Sequence, residues 1–150
     1  MELRTRLSDG LKQAMRDKDP ARLGTLRLIN AALKDRDIAL RAEGRDVDDA
    51  EATAILSKMV KQRRESATAY EEGGRLELAE KERSEIAVIE EFLPKQLSED
   101  EAVAAVDAAI AETGATSVRD MGRVMGALKA RYAGRMDFGA AGAAVKAKLG

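Results

Sequence analysis

The sequence predicts an all-α protein made of two helical bodies, and three observations carry that expectation. Apolar residues recur at spacings of three and four along most of the chain, the β-branched and aromatic runs that make strands are missing, and Leu93-Pro94-Lys95-Gln96-Leu97-Ser98 interrupts the helical pattern. Proline withholds its N–H and pushes the residue before it away from helical dihedrals, while Ser98 with Glu101 forms a capping-box signature that restarts a helix. The expected organisation is a four-helix N-terminal domain over residues 1–93, a Pro-containing hinge, and a small three-helix C-terminal bundle over residues 97–150.

The first helix is expected from about Glu2 to Met15, with Leu3, Leu7, Leu11 and Met15 as its apolar stripe. Asp17-Lys18-Asp19-Pro20 breaks it, and Asp19 as N-cap with Pro20 at the first helical position opens a second helix. That helix buries Leu23, Leu26, Ile29, Ala32 and Leu33 and fades near Gly44. Asp48 with Glu51 opens a third through Ile55, Leu56, Met59, Val60, Ala67 and Tyr70, which stops at Gly73-Gly74. A fourth, carrying Leu76, Ala79, Ile86, Ile89 and Leu93, ends at Pro94.

Beyond the break, Ser98 caps a helix with Val103, Val106 and Ile110 that stops at Gly114, and Ser117 caps one with Met121, Val124, Met125 and Leu128. Asp137 caps the last, through Ala141, Val145 and Leu149, with Lys146 and Lys148 at the end where the helix dipole favours cations.

Composition narrows the chemistry. With two Phe, two Tyr and no Trp among 150 residues, the cores must be built from aliphatic side chains, Met and Ala. The absence of Cys and His removes thiol nucleophiles, disulfides, imidazole or thiolate metal sites and every Ser-His-Asp or Cys-His arrangement. The start lacks a basic stretch followed by an apolar run, and no segment has bilayer-crossing length, so a cytoplasmic protein without membrane contact is expected. Net charge is −1 but unevenly spread: +4 over residues 1–36, −10 over 37–114 and +5 over 115–150. Such asymmetry invites a polyanionic partner.

Two constellations interrupt the helical pattern. Lys61-Gln62-Arg63-Arg64-Glu65-Ser66 and Arg83 aim polar groups at the seam of the expected third and fourth helices. One reading makes Arg63, Gln62 and Ser66 an anion or amide site. The preferred reading pairs Arg63 and Arg83 with Glu82, Glu85 or Glu65, because unpaired charge at a helix seam is costly. The glutamates from Glu77 to Glu91 lack the alternating spacing of a calcium loop, and Gly73-Gly74-Arg75 lacks the Gly-Lys-Ser/Thr of a phosphate loop. No metal and no cofactor is expected. The second constellation is Gly122 and Gly126, four apart on one face, where each glycine costs about 1 kcal/mol of helix propensity. A close contact should compensate: another helix backbone is preferred, a nucleic-acid backbone is the alternative. Arg119, Arg123, Lys129, Arg131 and Arg135 surround them, with Lys146 on the last helix.

Several stretches together resemble the YqeY family. They are Thr25-Leu26-Arg27 with Ala31-Ala32-Leu33-Lys34, Lys61 to Ser66, Tyr70 with Gly74-Arg75, Leu78-Ala79, Leu93 to Ser98, and Asp120-Met121-Gly122-Arg123-Val124-Met125-Gly126. The family's fold is also that of the tail domain of the B subunit of the aspartyl/glutamyl-tRNA amidotransferase, so the C-terminal bundle is expected to be GatB-tail-like. The resemblance implies a GatB/YqeY-type accessory associated with glutamine-dependent carbon–nitrogen ligases. No catalytic constellation of its own is visible, so enzyme activity is left open and no catalytic residue is assigned. The expected partner is tRNA, held by phosphate contacts from Arg119, Arg123, Lys129, Arg131, Arg135 and Lys146, with amidotransferase subunits or another protein as further partners. The alternatives are amidotransferase activity that needs a partner, and a protein-interaction module whose acidic first domain docks a basic protein.

Overall fold

A computed structural model describes residues 2–150. Among them it contains seven α-helices, two short 3-10 turns and no strand. The chain divides into two compact units that meet in sequence between Pro94 and Lys95.

The first unit holds α1 (Glu2–Arg16), α2 (Pro20–Leu40), α3 (Asp49–Glu72) and α4 (Leu76–Glu90). Its core is aliphatic: Leu7 of α1, Leu26, Ile29 and Leu33 of α2, Leu56 of α3 and Ile89 of α4 are almost wholly buried. Asp19 accepts from the Arg22 N–H at 3.1 Å and so caps α2. Asp48 caps α3 through the Glu51 N–H at 2.8 Å. Glu51 does not close the expected box, because Arg45 takes its carboxylate at 2.6 Å and Arg36 approaches it at 3.6 Å.

Four helix ends share one hydrogen-bond pattern, in which two successive N–H groups return to carbonyls of the last turn around a left-handed residue. Gly44, Gly74 and Gly114 occupy that position at φ between +65° and +73°, where glycine pays no Cβ penalty. The fourth case is the end of α1: Lys18 donates to Met15 O and Asp19 to Ala14 O, and the left-handed residue is Lys18 at φ +53°.

Several elements differ from expectation for physical reasons. Met15 is 59% exposed, and Ala14 is buried in its place. Repeated steps of four advance about 40° each around a helix of 3.6 residues per turn, so a stripe drawn from Leu3 through Leu11 rotates off the core before Met15. Leu76, in the first turn of α4, is 65% exposed. The α4 helix closes at Glu90 rather than at Pro94, through tight turns that bury Phe92 and Leu93. Gly10 of α1 lies against Phe92, whose Cζ would be 3.4 Å from a Cβ at that position.

The three residues between α3 and α4 fold these helices into an antiparallel hairpin, and the polar stretch at its seam is structural. Arg63 Nε donates to Glu85 at 2.9 Å, with only 16% and 18% of the two side chains exposed, and Arg64 pairs with Glu90 at 2.8 Å. Arg83 pairs with Glu71 of α3 instead of Glu82, Glu85 or Glu65.

The second unit holds α5 (Glu99–Thr113), α6 (Met121–Tyr132) and α7 (Phe138–Leu149). Ser98 and Glu101 complete the reciprocal capping box, at 3.1 and 3.0 Å. Asp137 accepts from the N–H groups of Gly139 and Ala140 at the start of α7. The core joins Ala105, Val106 and Ala109 to Val124, Leu128, Ala141 and Val145. Val103, expected inward, is 54% exposed, because the face of α5 that packs is made by alanines that permit close approach.

Breaking this partly buried pair on one side leaves a charge without its partner. Arg63→Met should therefore cost about 2 kcal/mol, and adding Glu85→Leu should recover most of it. Denaturant melts of the wild type, the single and the double variant check this.

Candidate functional site

The six basic residues singled out in the sequence fall into two groups. Arg123, Arg131 and Arg135 are engaged within their own unit. Arg123 donates to the Asp120 carboxylate at 2.7 Å and to the Thr113 carbonyl at 3.0 Å. Arg131 makes a two-pronged pair with Glu112 at 2.7 and 2.9 Å. Arg135 donates to the Lys95 carbonyl at 2.9 Å and lies over the Tyr132 ring, 5.6 Å from its centroid. These contacts tie α6 and the segment after it to α5 and the entry strand of chain before it.

Arg119, Lys129 and Lys146 are exposed, and none has an ion-pair or side-chain hydrogen-bond partner among the described residues. Arg119 lies in the 3-10 turn before α6, Lys129 in the last turn of α6, and Lys146 in the last turn of α7. Lys148, which the sequence reading left out, pairs with Asp107 of α5.

The α6 helix separates these roles by angle. At about 100° per residue, Gly122, Gly126 and Lys129 fall within about 60° of one another, while Arg123 and Arg131 lie on the other flank, toward α5. The expected helix contact over the glycines is not there: a Cβ added at Gly122 or Gly126 would meet nothing within 4 Å. Gly142 of α7 is by contrast buried, and a Cβ there would make ordinary van der Waals contact, 3.4 Å from Met121 Cε and 3.9 Å from Met125 Cε. Its place beside Ala141 and three residues before Val145, on the packed face of α7, was the signal available in the sequence. The result is a stretch of α6 with backbone close to the surface and a free lysine on the same face.

Asp120 organises the approach to this helix. Its carboxylate accepts from the Thr116 N–H at 2.9 Å, from Arg123, and from the Ser117 N–H at 3.3 Å. The Thr116 N–H first, and then the Arg123 guanidinium, lower its pKa from 3.8 to about 2. Glu101 is held below the usual range in the same way by the Ser98 N–H.

Elsewhere among the described residues no three acidic side chains converge as a cation site would require, and no helix is long and apolar enough to cross a membrane.

Comparison with known proteins adds a family. The profile described as "Yqey-like protein" matches residues 4–149. A Lachancea thermotolerans protein named "Altered inheritance of mitochondria protein 41, mitochondrial" is 34% identical over 87 residues, 58% of this chain and 46% of the relative. The Eremothecium gossypii protein of the same name is likewise 34% identical over 87 residues, 58% of this chain and 46% of its own length. An uncharacterized Schizosaccharomyces pombe protein is 31% identical over 96 residues, 64% of this chain and 72% of its own. The chain thus spans about half the length of the first two relatives. Their names place them in mitochondria, which departs from the expectation of a plainly cytoplasmic protein.

Because folding lowers the pKa of Asp120, the stability it contributes is complete above its unfolded value and is lost as pH falls through about 2. The melting-temperature difference between wild type and Asp120→Asn should be widest near neutral pH and close below about pH 2, measured by circular dichroism across a pH series.

Proposed function

Since this chain belongs to the YqeY family, we propose that it is an accessory protein that binds tRNA through its second unit and leaves amide chemistry to other polypeptides. The observation that carries this reading is the bare face of α6. Gly126 in the helix interior costs about 1 kcal/mol relative to alanine, Gly122 in the first turn costs less, and neither glycine is packed against a neighbour inside the unit. A surface held free of side chains, with Lys129 beside it, suits the close approach of a sugar-phosphate backbone, where lysine serves as a point charge.

Arg119, Lys129 and Lys146 supply phosphate contacts from a resting state in which nothing neutralises them. Arg123 and Arg131 supply them after exchange, because exposed pairs such as those with Asp120 and Glu112 are worth little and yield readily to phosphate. Arg135 acts by holding the chain before α5 against the end of α6. No aromatic platform for stacking single-stranded bases accompanies these cations, so recognition rests on shape and charge. The chain has neither cysteine nor histidine, so any thiol- or imidazole-dependent step belongs to a partner such as an amidotransferase subunit.

Binding of unfractionated tRNA, followed by fluorescence anisotropy over a salt series, tests the reading. Affinity should fall steeply with salt, and Lys129→Glu with Arg119→Glu should lower it and flatten the salt slope by about one unit per contact removed. Gly126→Leu should keep or raise the melting temperature yet weaken binding. Salt-insensitive binding, or a Gly126→Leu variant that binds as the wild type does, would defeat it.

A further inference from the structure

We propose that the turn between α1 and α2 is a docking groove for a peptide with an apolar anchor flanked by acidic residues. The groove belongs to the first unit and stands apart from the RNA-binding reading. It has a volume of about 440 Å³ and is lined by Ala14, Met15, Pro20 and Leu23, together with the charged Lys18 and Arg27.

Three observations converge on it. Met15 is 59% exposed at the groove, although it ends a row of leucines that is otherwise turned inward. A single exposed apolar side chain is ordinary, but one lining a concave apolar surface is a place to bind, and methionine's flexible thioether adapts to varied partners. Second, the charged lining carries two cations against one carboxylate. Lys18 and Arg27 are exposed and have no side-chain partner among the described residues, whereas the third charged residue, Asp19, is committed to the Arg22 N–H as the cap of α2. Arg22 and Arg36 on the same helix do find carboxylates, in Glu91 and Glu51.

The third observation is conformational. Gly44, Gly74 and Gly114 fill the left-handed position in three of the four matching helix ends, and only the end that forms this groove uses another residue, Lys18 at φ +53°. A lysine there carries a Cβ penalty that glycine avoids. Backbone strain of this kind is kept where the side chain it displays is used. The occupant then follows from complementarity: the apolar lining takes a leucine-sized or aromatic anchor, and the two free cations take carboxylates on either side of it. A nucleic acid would satisfy the cations but would leave Met15, Pro20 and Leu23 against phosphate and sugar.

The test uses the full chain, labelled at the methionine methyl groups and observed by NMR. Three synthetic peptides are added in turn: a Leu-Phe-Leu core flanked by two glutamates on each side, the same core flanked by lysines, and the glutamate-flanked form with serines for the core. The first should shift the Met15 methyl signal at sub-millimolar concentration, roughly the range of a single-anchor contact. The other two should bind at least about fivefold more weakly. Lys18→Gly should raise the melting temperature while weakening the first peptide, a split that a purely structural role for Lys18 would not give. Arg27→Glu should shift preference toward the lysine-flanked peptide, and Arg27→Gln should weaken the first peptide without that shift. Equal binding of all three peptides, no movement of Met15 at millimolar peptide, or movement of Met15 by tRNA and not by peptide would each overturn the proposal.

Discussion

Every α-helix leaves N–H groups at one end and carbonyls at the other without intrahelical partners, and in this chain the way those groups are satisfied decides which residues can share a seam. Ser98 and Glu101 close one end reciprocally, Asp19, Asp48 and Asp137 close others from a single side chain, and left-handed residues close the ends of α1, α3, α5 and the 3-10 turn after α2. With aromatic residues so few, no large ring can dominate a core and compensate for helices of the wrong length. Leu26, Ile29, Leu33, Leu56 and Ile89 meet because the helices carrying them begin and stop where these caps place them.

Electrostatics in the first unit is organised around the same seams. The two arginines in succession on α3 are divided between Glu85 and Glu90 of α4, and Arg83 of α4 returns to Glu71. Asp37, held below the usual carboxylate range by the Val47 N–H and then by Arg4, ties the loop between α2 and α3 to both α2 and α1. A polar motif that could pass for an anion site is thus occupied by carboxylates of its own unit.

The second unit distributes its glycines differently from a helix bundle that uses them for packing. Gly142 is buried against the methionine side chains of α6 at ordinary contact distance. Gly122 and Gly126 admit nothing, and the cations around them divide into those that hold α6 to α5 and those left free. The contrast gives the α6 face its interest. Within the unit those positions gain nothing from being glycine, and the proposed function rests on that observation.

By itself the sequence determined the all-helical class, the N-caps Asp19, Asp48, Ser98 and Asp137 and most of the core, since these depend on neighbours within four residues or on helical period alone. Ser117, expected to cap α6, instead heads the 3-10 turn before it. Spacing also placed Arg63 at a seam, and it resembled a known family through motifs that stand in order along the chain. Tertiary structure alone decided that Met15 and Val103 face outward while Ala14, Ala105 and Ala109 pack, because an apolar stripe drifts around the helix and alanine signals neither face. It also decided the partners of Arg83 and Arg131, and the openness of Gly122 and Gly126, since a side chain's reach and a neighbour's distance are properties of helices brought together in space.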